Sequence, residues 1–203
     1  PGEIKAMSNL DRAKDGSGYY EMANHAVVRM EPGSTFKTIS LMAALDDGKV
    51  KMKDTIRVEH DGWWYHGAKH MDAHPSDTVY TIRQAMAVSS NIALAKIVTD
   101  GYNGSAKKFV KKLRNMGLCD SVDFTIPGAN QALINVPNDT VTISKMAYGY
   151  SVELSPLQIL MFYNGIANDG KMISPLFVKE IRKDGKTIEE FESTVIKGSM
   201  CDD

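Results

Sequence analysis

The stretch Glu31-Pro32-Gly33-Ser34-Thr35-Phe36-Lys37 decides how this sequence folds and what chemistry it can carry. Pro32-Gly33 predicts a turn, and a helical pattern begins directly after it. Gly48 is the expected end of that helix. Between the two, apolar side chains recur near the helical period at Phe36, Ile39, Met42, Ala43 and Leu45.

Ser34 and Lys37 are a candidate nucleophile and base. Residues three apart share a helical face, so we expect Lys37 Nζ to lie within about 4 Å of Ser34 Oγ. A serine hydroxyl is a poor nucleophile at neutral pH and needs an adjacent base. A lysine can serve as this base if its pKa falls from about 10.4 to about 7. Burial and nearby positive charge must then favour the neutral amine by roughly 4–5 kcal/mol. Taken alone, Ser-x-x-Lys also fits a capping serine beside a surface lysine.

Ser89-Ser90-Asn91 interrupts a second helical pattern between two apolar stretches. A hydroxyl at Ser89 and an amide at Asn91 can face one cleft from a tight turn. The hydroxyl can then pass a proton to a leaving amine, and the amide can hold a substrate carbonyl. The alternative is a helix break with local capping, which Ser and Asn favour.

The remaining pattern predicts helices in the middle of the chain and strands at both ends. Thr81 and the run Ser155-Pro156-Leu157-Gln158 are helix starts. Helices are expected over residues 82–88, 92–98, 105–116 and 156–168. Strands are expected over residues 3–10 and in a hairpin over 176–191, with 57–78 irregular. The fold class is therefore α+β, with a sheet assembled from distant segments.

Composition narrows the possible functions. The 203 residues carry 24 Lys plus Arg and 25 Asp plus Glu, so the formal net charge of −1 argues against a nucleic-acid partner. A run of lysines is expected to form a solvated helix face: Lys107, Lys108, Lys111 and Lys112. No stretch reaches the roughly 18 apolar residues of a membrane span, and no signal peptide opens the chain. We expect a piece of a longer protein whose compartment is not encoded in these residues.

A rival site is formed by His66, His70 and His74, which are spaced four apart with Asp72 between the last two. On a helix these histidines would share a face and could bind zinc. Gly67 argues against a helix here, so we expect a polar loop near the cleft, no metal and no cofactor. Trp63, Trp64 and Tyr65 are expected to pack or to line a loop rather than to hold a ligand.

The order of the two serine motifs resembles the signature of penicillin-binding proteins and serine β-lactamases, which is Ser-x-x-Lys, then Ser-x-Asn, then Lys-Thr-Gly. The resemblance extends to Tyr148-Gly149-Tyr150, to Leu154–Gln158 and to Ala167–Gly170, which are similar to the helix that closes these domains. It is closest to the class B transpeptidases, and within them to the division-type septal enzymes. It implies one partial transpeptidase domain over residues 1–203, with a helical subdomain and an antiparallel sheet.

The third motif departs from this pattern. No Lys-Thr-Gly or Lys-Ser-Gly follows Asn91, and Gly185-Lys186-Thr187 has the letters in the wrong order. The same run is not a phosphate-binding loop, because position 180 is Glu where that motif requires Gly. The family carries its third motif on a strand that supplies one oxyanion donor, while Ser34 N–H would supply the other. We therefore expect a chain that ends before this motif and is inactive as given.

The resemblance implies D,D-transpeptidation of peptidoglycan by a domain outside the cytoplasmic membrane, anchored to it by a segment not in this chain. Ser34 would attack the penultimate D-alanine of a D-alanyl-D-alanine stem peptide, with Lys37 as base, Ser89 as proton shuttle and Asn91 as substrate-binding residue. β-Lactams would acylate the same serine, and division-machinery membrane proteins are candidate partners. Two alternatives stay open, a serine β-lactamase and a non-catalytic β-lactam sensor, and the deacylation rate distinguishes them.

Overall fold

The computed structural model of the protein describes residues 2–120 and 126–201. A 3-10 helix, Gly33–Phe36, leads directly into the first α-helix. The α-helices are α1 (Lys37–Asp46), α2 (Ile82–Ala87), α3 (Asn91–Gly101), α4 (Ala106–Asn115), α5 (Thr142–Met146) and α6 (Pro156–Ala167). The helices predicted from the sequence are confirmed, and α5 is an addition that the pattern did not predict. Within the described residues, none of these helices has the length and apolar content needed to cross a bilayer.

Short strands in the described part of the chain pair two by two, and every pair is antiparallel. The pairs are β1 (Asp11–Arg12) with β2 (Tyr19–Tyr20), β3 (Thr55–Val58) with β6 (Thr78–Thr81), β4 (Trp63–Tyr65) with β5 (Ala68–His70), β7 (Met172–Ile173) with β10 (Val195–Lys197), and β8 (Glu180–Lys183) with β9 (Lys186–Glu190). The predicted hairpin is confirmed by β8 and β9. Helices and antiparallel strands together confirm the α+β class.

Two strand predictions are wrong. Residues 57–78 are not irregular, because β4 and β5 lie within them and β3 and β6 overlap their ends. The aromatic and β-branched side chains of this region favour extended backbone even in segments of three or four residues. Residues 3–10 form no strand; their contribution to a ladder is an isolated parallel bridge between Glu3 and Leu176.

Capping explains where the predicted helices begin. The Thr81 side chain accepts a hydrogen bond from Gln84 N at 3.3 Å, and Gln84 Oε1 accepts one from Thr81 N at 2.9 Å. Ser155 and Gln158 repeat this reciprocal arrangement at the start of α6, with Pro156 at the first helical position. Each box satisfies two backbone groups that a helix end leaves unpaired.

The chain divides into two compact units by contact density. One comprises residues 2–29, 117–120, 126–132 and 154–200. The other, called the site unit below, comprises residues 30–116, 133–153 and 201 and contains every predicted site residue. In the site unit α3 packs against α1 and α5, and α1 packs against α4. Their fully buried side chains include Phe36, Ile39, Ile92, Leu94, Phe109, Leu113, Ile143 and Met146, each worth about 1.5–3 kcal/mol of hydrophobic stabilisation.

The lysine run on α4 is only partly a solvated face. Lys107, Lys108 and Lys111 are exposed, whereas Lys112 is buried. Lys112 Nζ forms ion pairs with Asp46 and with Asp47, the latter at 2.8 Å. The prediction was wrong for Lys112 because its carboxylate partners lie at the end of α1, about 65 residues earlier in the chain, where no local pattern could reveal them.

Candidate active site

Ser34 lies in the 3-10 turn at the start of α1, with its side chain exposed. Gly33 has φ +55°, a left-handed conformation that favours glycine and aims the chain into the turn. Phe36 is fully buried and fixes the turn to the core. Lys37 follows this turn as the first residue of α1, and it is buried whereas Ser34 is exposed. The structure places Ser34 in this turn and Lys37 directly after it; the predicted approach of Lys37 Nζ to Ser34 Oγ and the catalytic roles of both residues stay predictions.

A second segment holds this turn from the other side. Gly33 N donates to Gly149 O at 3.1 Å, and Ser151 N donates to Glu31 Oε1 at 2.7 Å. A side chain at Gly149 would place its Cβ 2.0 Å from Gly33 O, so the two backbones can approach this closely only with glycine at position 149. The 149–151 segment therefore clamps the residues on the N-terminal side of Ser34.

Lys37 links the turn that carries Ser34 to the Ser89-Ser90-Asn91 motif. It is only 2% exposed, and its Nζ contacts Ser89 O at 2.5 Å and Ser89 Oγ at 2.9 Å. Ser89 has φ +54°, a conformation that is uncommon for a residue with a side chain. Backbone strain of this kind persists where surrounding contacts determine it, and it is concentrated at functional sites. Two motifs 52 residues apart thus meet at one buried amine.

Burial lowers the pKa of Lys37 to about 8, while the negative charge of Asp72 acts in the opposite direction. The amine is therefore much more easily deprotonated than an ordinary lysine. A neutral amine keeps one lone pair, which can accept a proton while its N–H groups still bond to Ser89. Of the two causes expected from the sequence, burial is the one that lowers the Lys37 pKa here, whereas the charge of neighbouring Asp72 is negative rather than positive.

Ser90 and Asn91 fix the geometry of the turn that follows Ser89. Ser90 is 1% exposed, and its Oγ accepts from Ala93 N at 3.0 Å to cap α3. Asn91 Nδ2 donates to Met71 O at 2.8 Å, which orients the amide expected to bind substrate. Local capping, treated above as the alternative, is performed by Ser90, while the roles of Ser89 and Asn91 in a cleft stay predictions.

His70 is a buried structural residue in a chain of hydrogen bonds. Its Nδ1 lies 2.7 Å from Tyr148 Oη, and its Nε2 lies 3.0 Å from Ser144 Oγ. Ser144 Oγ donates to Val141 O at 2.5 Å, so it must accept from His70 Nε2–H. Nδ1 then accepts the Tyr148 proton, and the imidazole is neutral. Both ring nitrogens are thus occupied by protein groups, and no cluster of metal-ligating side chains occurs in residues 2–120 and 126–201.

The neutral state of His70 predicts an acid-sensitive stability. Burial, aided by the positive charge of Lys145, lowers the pKa of His70 below its usual 6.5. The unfolded chain therefore binds a proton more readily than the folded one, and stability decreases as pH falls below about 6.5. In chemical denaturation, His70→Gln is expected to reduce this acid slope and to lower stability at pH 7.5 by about 1–3 kcal/mol. His60→Gln, at an exposed position, is the control and should retain the slope; equal slopes in His70→Gln and wild type would contradict the assignment.

Asp72 and His70 are the residues whose contacts sequence reasoning missed. Both were considered only as members of a histidine cluster, and the structure places them beneath two different parts of the site. Trp63 and Tyr65 stack with ring centroids 5.2 Å apart, as expected of packing residues, whereas Trp64 is 64% exposed. No local sequence pattern identifies the contacts of Asp72 and His70, because the residues that they bind lie 18 to 78 positions away in the sequence.

Comparison with known proteins identifies the family of the chain. Residues 1–201 match the family model described as "Penicillin binding protein transpeptidase domain". The chain belongs to this transpeptidase family. Its curated relatives place it among the class B penicillin-binding proteins, as the sequence resemblance predicted.

The transpeptidase relatives have low sequence identity to this chain but match most of its length. Penicillin-binding protein PbpB of Mycolicibacterium smegmatis is 27% identical, covering 93% of this chain and 30% of its own length. Probable peptidoglycan D,D-transpeptidase PenA of Neisseria flavescens is 28% identical, covering 88% of this chain and 45% of its own length. The chain thus spans less than half of each of these relatives.

Solved structures share the transpeptidase fold. A ceftriaxone acyl-enzyme complex of penicillin-binding protein A from M. tuberculosis superposes with a TM-score of 0.76 and 21% identity, covering 88% of this chain and 41% of that one. The apo transpeptidase domain of penicillin-binding protein 3 from Burkholderia pseudomallei superposes with a TM-score of 0.69 and 23% identity, covering 87% of this chain and 51% of that one. At these identities the superpositions show the fold alone.

Proposed function

We propose that the protein is a peptidoglycan D,D-transpeptidase that cross-links stem peptides through an acyl-enzyme on Ser34. The observation that carries this proposal is the buried amine of Lys37, the first residue of α1. Its Nζ lies 2.9 Å from Ser89 Oγ. Membership of the transpeptidase family supports the same reaction. Related proteins are named peptidoglycan D,D-transpeptidases.

The acylation step follows from these positions. Ser34 Oγ attacks the carbonyl carbon of the penultimate D-alanine, and its proton passes to the neutral amine of Lys37. The oxyanion that forms is held by Ser34 N–H, near the positive end of the helix. The C–N bond then breaks, and the terminal D-alanine leaves with a proton delivered by Ser89 Oγ, which is replenished from Lys37. The contact between Lys37 Nζ and Ser89 Oγ supports this transfer.

Deacylation reverses the proton path with a different amine. An amine of a neighbouring stem peptide attacks the acyl carbon, loses its proton towards Ser89 and Lys37, and displaces Ser34 Oγ, which is reprotonated. Asn91 orients the substrate amide. β-Lactams resemble the D-alanyl-D-alanine terminus and would acylate Ser34 in the same way. Peptidoglycan as substrate further implies an extracytoplasmic location at the cell membrane, with division-machinery proteins as candidate partners.

The test uses the full-length protein with a fluorescent penicillin and with a D-alanyl-D-alanine stem peptide. We expect one covalent adduct on the proteolytic peptide that contains Ser34, slow loss of the label, and release of D-alanine when donor and acceptor peptides are present. Rapid loss of label with hydrolysed penicillin would indicate a β-lactamase. A lasting adduct without any release of D-alanine would indicate a sensor. An adduct that maps to another residue would refute the proposal.

A further inference from the structure

The Asp72 carboxylate lies beneath the turn that carries Ser89. Asp72 follows β5 by two residues and precedes α3 by 19. Its Oδ2 accepts from Ser90 Oγ at 2.6 Å, and its Oδ1 accepts from Ile92 N at 2.9 Å. Both carboxylate oxygens are therefore directed at the first turn of an eleven-residue helix, where a negative charge is stabilised by the helix dipole.

These bonds fix the backbone on the C-terminal side of Ser89. Ser90 is held from both ends, because its N–H donates to Ala85 O at 2.9 Å and its Oγ connects Asp72 to Ala93 N. Asn91 is tied to Met71, the residue next to Asp72, at 2.8 Å. A serine in the left-handed conformation is less stable than one in an ordinary conformation by roughly 1–2 kcal/mol. Contacts with neighbouring residues must therefore hold Ser89 in this conformation.

We propose that Asp72 is a positioning residue for acylation, which holds Ser89 in the left-handed conformation that presents its carbonyl and hydroxyl to Lys37. This inference rests on the proposed function, since the step it serves is proton transfer through Lys37 and Ser89. Asp72 touches neither Ser34 nor the reacting atoms in the proposed reaction; it acts through the turn.

The carboxylate has a second effect of opposite sign. Its charge favours the protonated form of Lys37 and so raises the pKa that burial lowers. Neutralising Asp72 should loosen the Ser89 turn and slow acylation, yet also make Lys37 easier to deprotonate. The pH dependence of Lys37 therefore reports the charge of Asp72, and the rate of acylation at high pH reports the position of the Ser89 turn.

The experiment compares Asp72→Asn with Asp77→Asn in the full-length protein. Asp77 is exposed and pairs with Arg57 at 2.7 Å, five residues from Asp72, so it is a matched loss of charge outside the turn. The second-order rate of acylation by a fluorescent penicillin is measured between pH 6 and 10. For Asp72→Asn we expect the plateau that the acylation rate reaches at high pH to be about 10- to 100-fold lower, which is the scale of a misplacement near 1 Å. We also expect the acid limb, the part of the profile in which the rate rises with pH, to be displaced to lower pH. Asp77→Asn should match the wild type in both.

A second variant and a second measurement separate the effect of the Asp72 charge from the effect of its hydrogen bonds. Ser90→Ala keeps the charge of Asp72 and its bond to Ile92 N but removes its bond to Ser90 Oγ, so it should lower the plateau and leave the acid limb in place. Titration of ¹³Cε-labelled lysine by NMR follows Lys37 without any acylation, and Asp72→Asn should shift its midpoint to lower pH. A wild-type plateau in both Asp72→Asn and Ser90→Ala would overturn the positioning role of Asp72, and an unmoved Lys37 midpoint would overturn its charge effect on Lys37. Wild-type protein that is not acylated on Ser34 would overturn the proposed function instead, while the NMR titration still decides the link to Asp72.

Discussion

Replacing Ser34 with alanine is expected to abolish covalent labelling by a fluorescent penicillin. The substitution removes the only oxygen proposed to attack the β-lactam carbonyl, and loss of a catalytic serine lowers rates by about 10⁶. Ser34 is exposed, and its backbone carbonyl rather than its side chain accepts from Lys37 N, so Ser34→Ala should fold with unchanged stability. The measurement is the label on the full-length protein, together with its melting temperature.

The control for this substitution is Ser105→Ala. Ser105 precedes α4 at the cap position without a side-chain capping bond, so its hydroxyl is not needed for the helix start. Ser105→Ala should label at the wild-type rate. Persistent labelling of Ser34→Ala at that rate would place the nucleophile elsewhere, with Ser89 as the first residue to examine.

Local sequence patterns predicted the parts of the site that depend on neighbouring residues. The turn at Pro32-Gly33, the helix that follows it and the caps at Thr81 and Ser155 depend on backbone preferences within four residues. The turn and cap predictions hold because the interactions are short in sequence and the residue types leave few alternatives. The pairing of Ser34 with Lys37 rests on the same short-range spacing and stays a prediction.

Contacts between distant segments could not be predicted from the same patterns. The contact of Lys37 with Ser89 spans 52 residues, and that of His70 with Tyr148 spans 78. Lys112 was expected in solvent because it belongs to a lysine run, yet it is buried against Asp46. Periodicity reports which face of an element is apolar, but it does not report which other element covers that face.

Family resemblance supplied part of what periodicity lacked. The order of the serine motifs indicated that Lys37 and Ser89 meet in one cleft, and the structure brings them into hydrogen-bond distance. It did not indicate how the left-handed Ser89 is maintained or why Gly149 must be glycine. Those answers depend on particular backbone contacts, which a motif does not encode.

Replacing Lys37 with alanine is expected to slow acylation of Ser34 by about 10²–10⁴, the usual contribution of a general base. Because the base is the neutral amine and burial lowers its pKa to about 8, the wild-type rate should rise with pH up to about 8 and then level off. Lys37→Ala should lose this acid limb altogether. The measurement is the second-order rate of acylation of the full-length protein between pH 6 and 10.

A matched control separates loss of the base from loss of a packed side chain. Lys37→Met fills the same buried space without an amine, so its acylation rate should be as low as that of Lys37→Ala even if its stability is closer to the wild type. Lys111→Ala removes a lysine from the exposed face of α4 and should leave rate and pH profile unchanged. If Lys37→Met were acylated at the wild-type rate with the acid limb intact, the proton of Ser34 must pass to another group. The contact between Lys37 and Ser89 would then serve the geometry of the turn and not the chemistry.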